Sequence, residues 1–244
     1  MNRFAYHVPI LGYHRVGNVR SDHVPTVSAE AFERQLKFLT HYRVVSLEEV
    51  VGYVDRGQPV PRRSVVITFD DGYAETHTIA WPLLKRFGLP ATVFITPAEV
   101  GAPGFVTWEQ VVEMSEDGIT IGSHTMHHSY LPMVSEDRLH EELVESKQVI
   151  EQHLNQPVRF ISYPVGGFTL RAQAIVKEAG YRAACTTNRT FSREVIDRFA
   201  LRRIKVTERD GNGLLFWFKV SGYYDAFRQL KDAGERVADE EEAD

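Results

Sequence analysis

At least six times along a chain of 244 residues, a short run rich in β-branched residues is followed closely by an amphipathic helical segment. Strands separated by helices cannot pair as hairpins. They lie parallel, and the crossover helices cover the sheet. Strands are expected over 8–14, 44–46, 65–69, 91–96, 119–123, 159–163 and 183–187. Helices are expected over 29–40, with Ser28 as N-cap and Phe32, Leu36 and Leu39 on one face, and over 47–55, 73–87, 107–116, 135–155 and 170–179. Pro82 either kinks the third of these or marks its true start. Alternation alone admits a closed barrel or an open parallel sheet.

The polar residues suited to chemistry fall repeatedly where strands end: His14, Asp70 with Asp71, His124 with His128, and the turn from Tyr163 to Gly167. Barrel enzymes collect their reactive groups at this end of the strands. In Val65-Val66-Ile67-Thr68-Phe69-Asp70-Asp71-Gly72, two carboxylates close a strand that reads as buried. Neighbouring strand residues point to opposite sides, so one acid can grip a cation while the other handles a proton. The plainer reading is that one acid caps the helix starting near Tyr73. In His124-Thr125-Met126-His127-His128 the imidazoles stand at i, i+3 and i+4, and either spacing brings two of them together. Two imidazoles and one carboxylate hold a divalent ion with positions left open, and the spacing does not choose between His127 and His128.

Composition narrows the alternatives. Cys185 is the single cysteine, which removes intrachain disulfides and thiolate metal clusters and leaves histidine and carboxylate as the metal donors. The formal net charge is −5, with much of the acidity in 239–244 and no basic stripe, so nucleic acid is not an expected partner. The first residues lack the apolar core of a signal peptide, and no apolar run approaches a membrane span, so the expected location is the cytoplasm. No repeat or linker interrupts the series. One domain over 1–244 is expected, with 211–232 a C-terminal helix and 233–244 a solvated acidic tail. The aromatic run Leu214-Leu215-Phe216-Trp217-Phe218 suits packing on the barrel, or a peripheral membrane or partner contact. Trp108 reads as a core residue at least as readily as a sugar-stacking one.

Taken together, Thr68-Phe69-Asp70-Asp71-Gly72 and His124-Thr125-Met126-His127-His128 resemble the first two motifs of the polysaccharide deacetylases, the NodB-homology or carbohydrate esterase family 4 enzymes. The resemblance runs over most of 8–206. It implies an α/β fold, a distorted (β/α) barrel with about seven parallel strands. It also implies Asp71, His124 and His128 as metal ligands, with His127 outside the set, and Asp70 as general base. In the third motif, Ser162-Tyr163-Pro164-Val165-Gly166, Pro164 and Gly166 match. Ser162 stands where an arginine usually orients the base, and Val165 replaces a tyrosine whose backbone N–H helps hold the oxyanion, a donor that survives the change of side chain.

The family's C-terminal leucine and histidine are missing from Leu201-Arg202-Arg203-Ile204-Lys205-Val206. Instead, Ile10-Leu11-Gly12-Tyr13-His14-Arg15-Val16 resembles the branch that deacetylates poly-β-1,6-N-acetylglucosamine, whose motifs are circularly permuted with the acid histidine first. That implies His14 as general acid, with an unperturbed imidazole suited to the task. The activity implied is metal-assisted hydrolysis of N-acetyl groups on N-acetylglucosamine-containing glycans or amino-sugar precursors, releasing acetate. Zn²⁺ is the first expectation for the metal, and the same donors accept Co²⁺, Ni²⁺ or Mn²⁺. The two departures motivate a second reading, a non-catalytic carbohydrate-binding protein on the same fold. A third, hydrolysis of another amide such as a cyclic ureide at a metal-poor site, sits poorly with intact ligands.

Overall fold

The computed structural model describes residues 8–18, 24–187, 197–222 and 224. In chain order the elements are β1 (Ile10–Tyr13), β2 (Arg15–Val16), β3 (Thr26–Val27), α1 (Ala29–Leu39), β4 (Arg43–Val44), α2 (Leu47–Asp55) and β5 (Ser64–Phe69), then α3 (Trp81–Phe87), β6 (Thr92–Ile95), α4 (Trp108–Glu116) and β7 (Thr120–Ser123). They continue through α5 (Glu136–His140), α6 (Ser146–Leu154), β8 (Phe160–Ser162), α7 (Leu170–Glu178), β9 (Ala183–Thr186), β10 (Leu201–Arg202), β11 (Ile204–Lys205) and α8 (Gly213–Val220).

The main sheet runs β10-β9-β8-β7-β6-β5-β1-β11, every pairing parallel, with β4 added to β5. The two ends of this order are consecutive in sequence. Arg203 stands between them, donating its N–H to the Thr186 carbonyl, and three residues later the Val206 N–H donates to the Gly12 carbonyl. A single stretch thus pairs first with β9 and then with β1, and the sheet is nearly closed into a barrel. Eight strands lie on the path against about seven expected: six of the expected strands are on it, the one at 44–46 is β4 beside it, and the closing stretch adds two, divided at Arg203. It was not foreseen as a strand, and neither was the small parallel pair of β2 with β3.

Local chemistry explains the helix starts. Ser28 accepts from the Ala31 N–H, Thr169 from the Ala172 N–H, and Ser46 with Glu49 and Thr107 with Gln110 form reciprocal caps on α2 and α4. Pro82 lies in the first turn of α3 and marks its true start, after a wide turn over Thr76–Ala80. The helix expected over 135–155 is α5 and α6 joined by a second wide turn, Glu141–Glu145. Of the expected C-terminal helix, α8 is described: Phe216 and Val220 are buried, and Leu214, Leu215 and Trp217 are exposed. Residues 225–244, including the acidic tail, lie outside the described residues. Among the described residues no helix is long and apolar enough to cross a membrane.

The barrel interior is graded. Ile10, Val66, Phe94, Phe160, Ala183, Cys185 and Leu201 form one apolar cluster with Leu47, Val50 and Val51 of α2, near the start of the strands. Two residues further along, the inward positions become Gly12, Thr68, Ser162 and Arg203. The second, larger cluster packs the helices on the outside of the barrel. Space inside is fully used: a Cβ on Gly122 would lie 2.6 Å from Phe94 Cδ1 and 2.9 Å from the Phe160 carbonyl oxygen. Gly122→Ala is therefore expected to destabilise the fold by about 1–3 kcal/mol through overpacking. Denaturant unfolding checks this, and an unchanged midpoint would mean that the β7–β8 interior has slack.

Candidate active site

The site is built where strands end and the backbone turns sharply. Asp70 extends the β5 ladder by donating its N–H to the Tyr13 carbonyl, and His124 extends β7 by donating to the Ile95 carbonyl. Beyond these points the chain enters the left-handed region at Asp71 (φ 71°), Thr125 (φ 67°), His128 (φ 57°) and Val165 (φ 57°). Among the described residues only Arg63 and Asn155 share that conformation without being glycine, so the strain is concentrated at one end of the barrel.

The turns bring Asp71, His124 and His128 together, with one donor atom of each lying within 4.8 Å of the others. Asp71 Oδ1 is buried without a hydrogen-bond partner and lies 3.3 Å from both His124 Nε2 and His128 Nε2. A buried carboxylate oxygen facing two imidazole nitrogens fits a divalent cation. The tautomer fits as well: His124 Nδ1 lies 2.7 Å from the Ser162 carbonyl, which can only accept, so the hydrogen sits on Nδ1 and Nε2 presents its lone pair. Burial pushes the Asp71 carboxyl up, but the close approach of His124 and His128 outweighs it and holds the group well below the usual carboxylate range. The same contact with Asp71 raises His128, against the opposing effect of burial.

His127, which spacing could not separate from His128, faces the other way. Its Nδ1 lies 3.2 Å from Oε1 of the fully buried Glu142, whose Oε2 accepts the His127 N–H and whose Oε1 accepts from Ser129 Oγ at 2.6 Å. Glu142 sits in the wide turn between α5 and α6, and such turns recur at functional sites. It fastens the loop that carries His128. Trp108 is turned from the site as well; its ring stacks on His153 at 3.7 Å with 7° between planes, packed against the outer core.

Asp70 is buried beneath this cluster. Its two carboxylate oxygens accept from Arg203 Nη1 and Nη2, each at 2.6 Å, and the same guanidinium donates to Ser162 Oγ at 2.7 Å and Thr68 Oγ1 at 3.2 Å. Burial raises the Asp70 carboxyl, and Arg203, His124 and His14 together outweigh it and hold it ionised. Arg203 was missed from sequence. The cation expected at position 162 comes from the closing strand, and Ser162 is small enough to receive it. A signal was present, since a buried acid requires a cation and Arg203 lies inside an otherwise strand-like run.

His14 Nε2 lies 3.8 Å from Asp70 Oδ2. Its imidazole is not unperturbed: burial lowers it below the usual histidine value, and the attraction of Asp70 and Asp71 only partly compensates. Val165 is 71% exposed, in the turn between β8 and α7.

Residues 57–184 match the family described as polysaccharide deacetylase. The chain is 31% identical over 202 residues to the putative polysaccharide deacetylase YxkH of Bacillus subtilis (strain 168), an alignment covering 82% of this chain and 71% of that protein. The chain belongs to the polysaccharide deacetylase family. It is also 29% identical over 173 residues to the poly-β-1,6-N-acetyl-D-glucosamine N-deacetylase of Staphylococcus aureus (strain MRSA252), across 64% of this chain and 59% of that one. Among solved structures, the Streptococcus pyogenes deacetylase PplD in complex with acetate superposes with a TM-score of 0.77 at 27% identity, over 86% of this chain and 96% of that one. Deacetylases of this family generally depend on a divalent metal.

Arg203→Met would leave Asp70 buried without its cation. The expected cost is about 3–5 kcal/mol at neutral pH. The lowered Asp70 value in the native protein contributes stability that is present above its unfolded value near 3.9 and lost as pH falls through the folded one. In the variant the carboxyl rises and that contribution reverses. The stability gap between the two proteins should therefore narrow from about pH 7 to about pH 4. A gap independent of pH in unfolding experiments would separate Arg203 from the charge of Asp70.

Proposed function

We propose that this chain is a metal-dependent N-deacetylase that hydrolyses the acetamido group of N-acetylglucosamine units in glycans or glycan precursors. The observation that carries this reading is the convergence of Asp71 Oδ1, His124 Nε2 and His128 Nε2 beside an acid that Arg203 keeps ionised. Asp71, His124 and His128 would hold the ion; a nitrogen-rich set of this kind suits Zn²⁺ first, with Co²⁺, Ni²⁺ or Mn²⁺ also accepted. Bound there, the metal supplies polarisation of the acetyl carbonyl and a more acidic water.

The chain's own groups do the rest. Asp70, fixed in one plane by the Arg203 fork, takes the proton from the attacking water. The Val165 backbone N–H donates to the oxyanion, and the left-handed turn of a β-branched residue is strain consistent with such a task. His14 protonates the leaving amine. Its lowered value makes it a stronger acid than free imidazole. The Staphylococcus aureus relative supports glucosamine polymers as the first substrates to examine. Arg203 supplies the cation whose absence at Ser162 had favoured a binding-only protein.

Acetate release from β-1,4- and β-1,6-linked N-acetylglucosamine oligomers, compared between chelated and Zn²⁺- or Co²⁺-loaded protein, tests the reading. Metal-dependent release is expected, and tight metal uptake with no release from any member would count against it. Asp71→Ala should abolish tight metal binding. His14→Ala should keep the metal and lose roughly 10²- to 10⁴-fold in rate; a loss of only a few fold would remove His14 from the acid role.

A further inference from the structure

The last metal-binding histidine proposed above, His128, is followed two residues later by Tyr130, a residue 44% exposed. One side of the ring packs directly on Gly167: a Cβ there would fall 2.1 Å from Tyr130 Cε2 and 2.8 Å from Cζ. Gly167 has φ −78° and ψ 134°, which any residue adopts, so glycine is not required by the backbone. It is required by the ring. The chain therefore reserves a missing side chain to seat an aromatic between the His128 loop and the turn that carries Val165. The surroundings are apolar and open, with Val165, Met133 and Leu170 all strongly exposed. Arg171 and Glu136, paired at 2.9 Å, hold the two rim segments together.

We infer that Tyr130 is a sugar platform: its free face stacks on the apolar face of a pyranose next to the one being deacetylated, and so selects for oligomers over single sugars. This rests on the N-deacetylase reading. A half-exposed aromatic seated on glycine presents a flat surface of fixed tilt at little conformational cost. A pyranose offers a matching patch of C–H groups, whereas a charged or strongly hydrated ligand would not favour this rim.

Two measurements test the platform with the Zn²⁺-loaded chain: kcat and KM for acetate release from N-acetylglucosamine mono-, di- and tetrasaccharides, and calorimetric affinity for the matching glucosamine oligomers, which do not turn over. Tyr130→Ala should raise KM and Kd for the longer sugars about two- to tenfold, the usual worth of an aromatic contact. kcat and the monosaccharide constants should stay near their original values. Tyr130→Trp should retain affinity. Gly167→Ala should displace the ring and reproduce the Tyr130→Ala pattern, with no further loss when the two are combined. Unchanged oligomer affinity in Tyr130→Ala would overturn the inference, as would an equal fall in kcat at every length, which would make the ring a brace for the Val165 turn. If the unaltered chain binds oligomers but releases no acetate, the deacetylase reading fails, while the affinities still decide the platform.

Discussion

The Asp70–Arg203 pair is the interaction on which both the barrel and its site depend. Both side chains are almost fully buried, and two isolated charges in that position would cost several kcal/mol each. Much of the cost is offset by geometry: two parallel N–H···O bonds join the pair, and Ser162 and Thr68 take further guanidinium protons, with Nε alone of the three nitrogens unpartnered. Arg203 belongs to the stretch that passes from β9 to β1. Closure of the sheet is therefore also delivery of the cation, and a sheet left open would leave Asp70 an unpaired acid inside an apolar wall.

The loops above this layer carry strain that neighbouring elements hold in place. Thr125 and His128 are both left-handed, and the segment between them is tied down by Glu142, which receives His127 and Ser129 in the wide turn between α5 and α6. His124 is tied from the opposite side by the Ser162 carbonyl. Ser162 thus serves two neighbours, orienting an imidazole through its backbone and receiving the arginine through its side chain. A larger residue at 162 would serve the first and obstruct the second.

Much of this was legible in sequence, for a physical reason. A parallel strand buried on both faces is a continuous apolar run, so Asp70, Asp71 and His124 stand out where such runs stop. Strand order and alternation placed those ends together, and the family resemblance separated His128 from His127 before geometry did. What stayed hidden depends on long-range register. Arg203 and Ser162 are 41 residues apart and meet only when β10 and β11 close the sheet, and strands of two residues carry no periodicity to read. The wide turns at 76–80 and 141–145 preserve apolar spacing, so sequence shows one helix where the backbone makes an extra residue of room.

Charge sets the surroundings of the two acids apart. Asp70 and Arg203 pair at close range, which keeps Asp70 ionised, with His124 and His14 adding to the effect. Asp71 Oδ1 faces two imidazoles, so the proposed donor set Asp71, His124 and His128 would carry one formal negative charge with both histidines neutral. A divalent ion held by that set would leave a net charge of about +1, the sign that favours a developing oxyanion. Arg203, arriving from the closing strand, hydrogen-bonds Asp70 and acts on Asp71 only through space. The neutral serine left at 162 lets the end of β8 approach His124 without adding charge to the site.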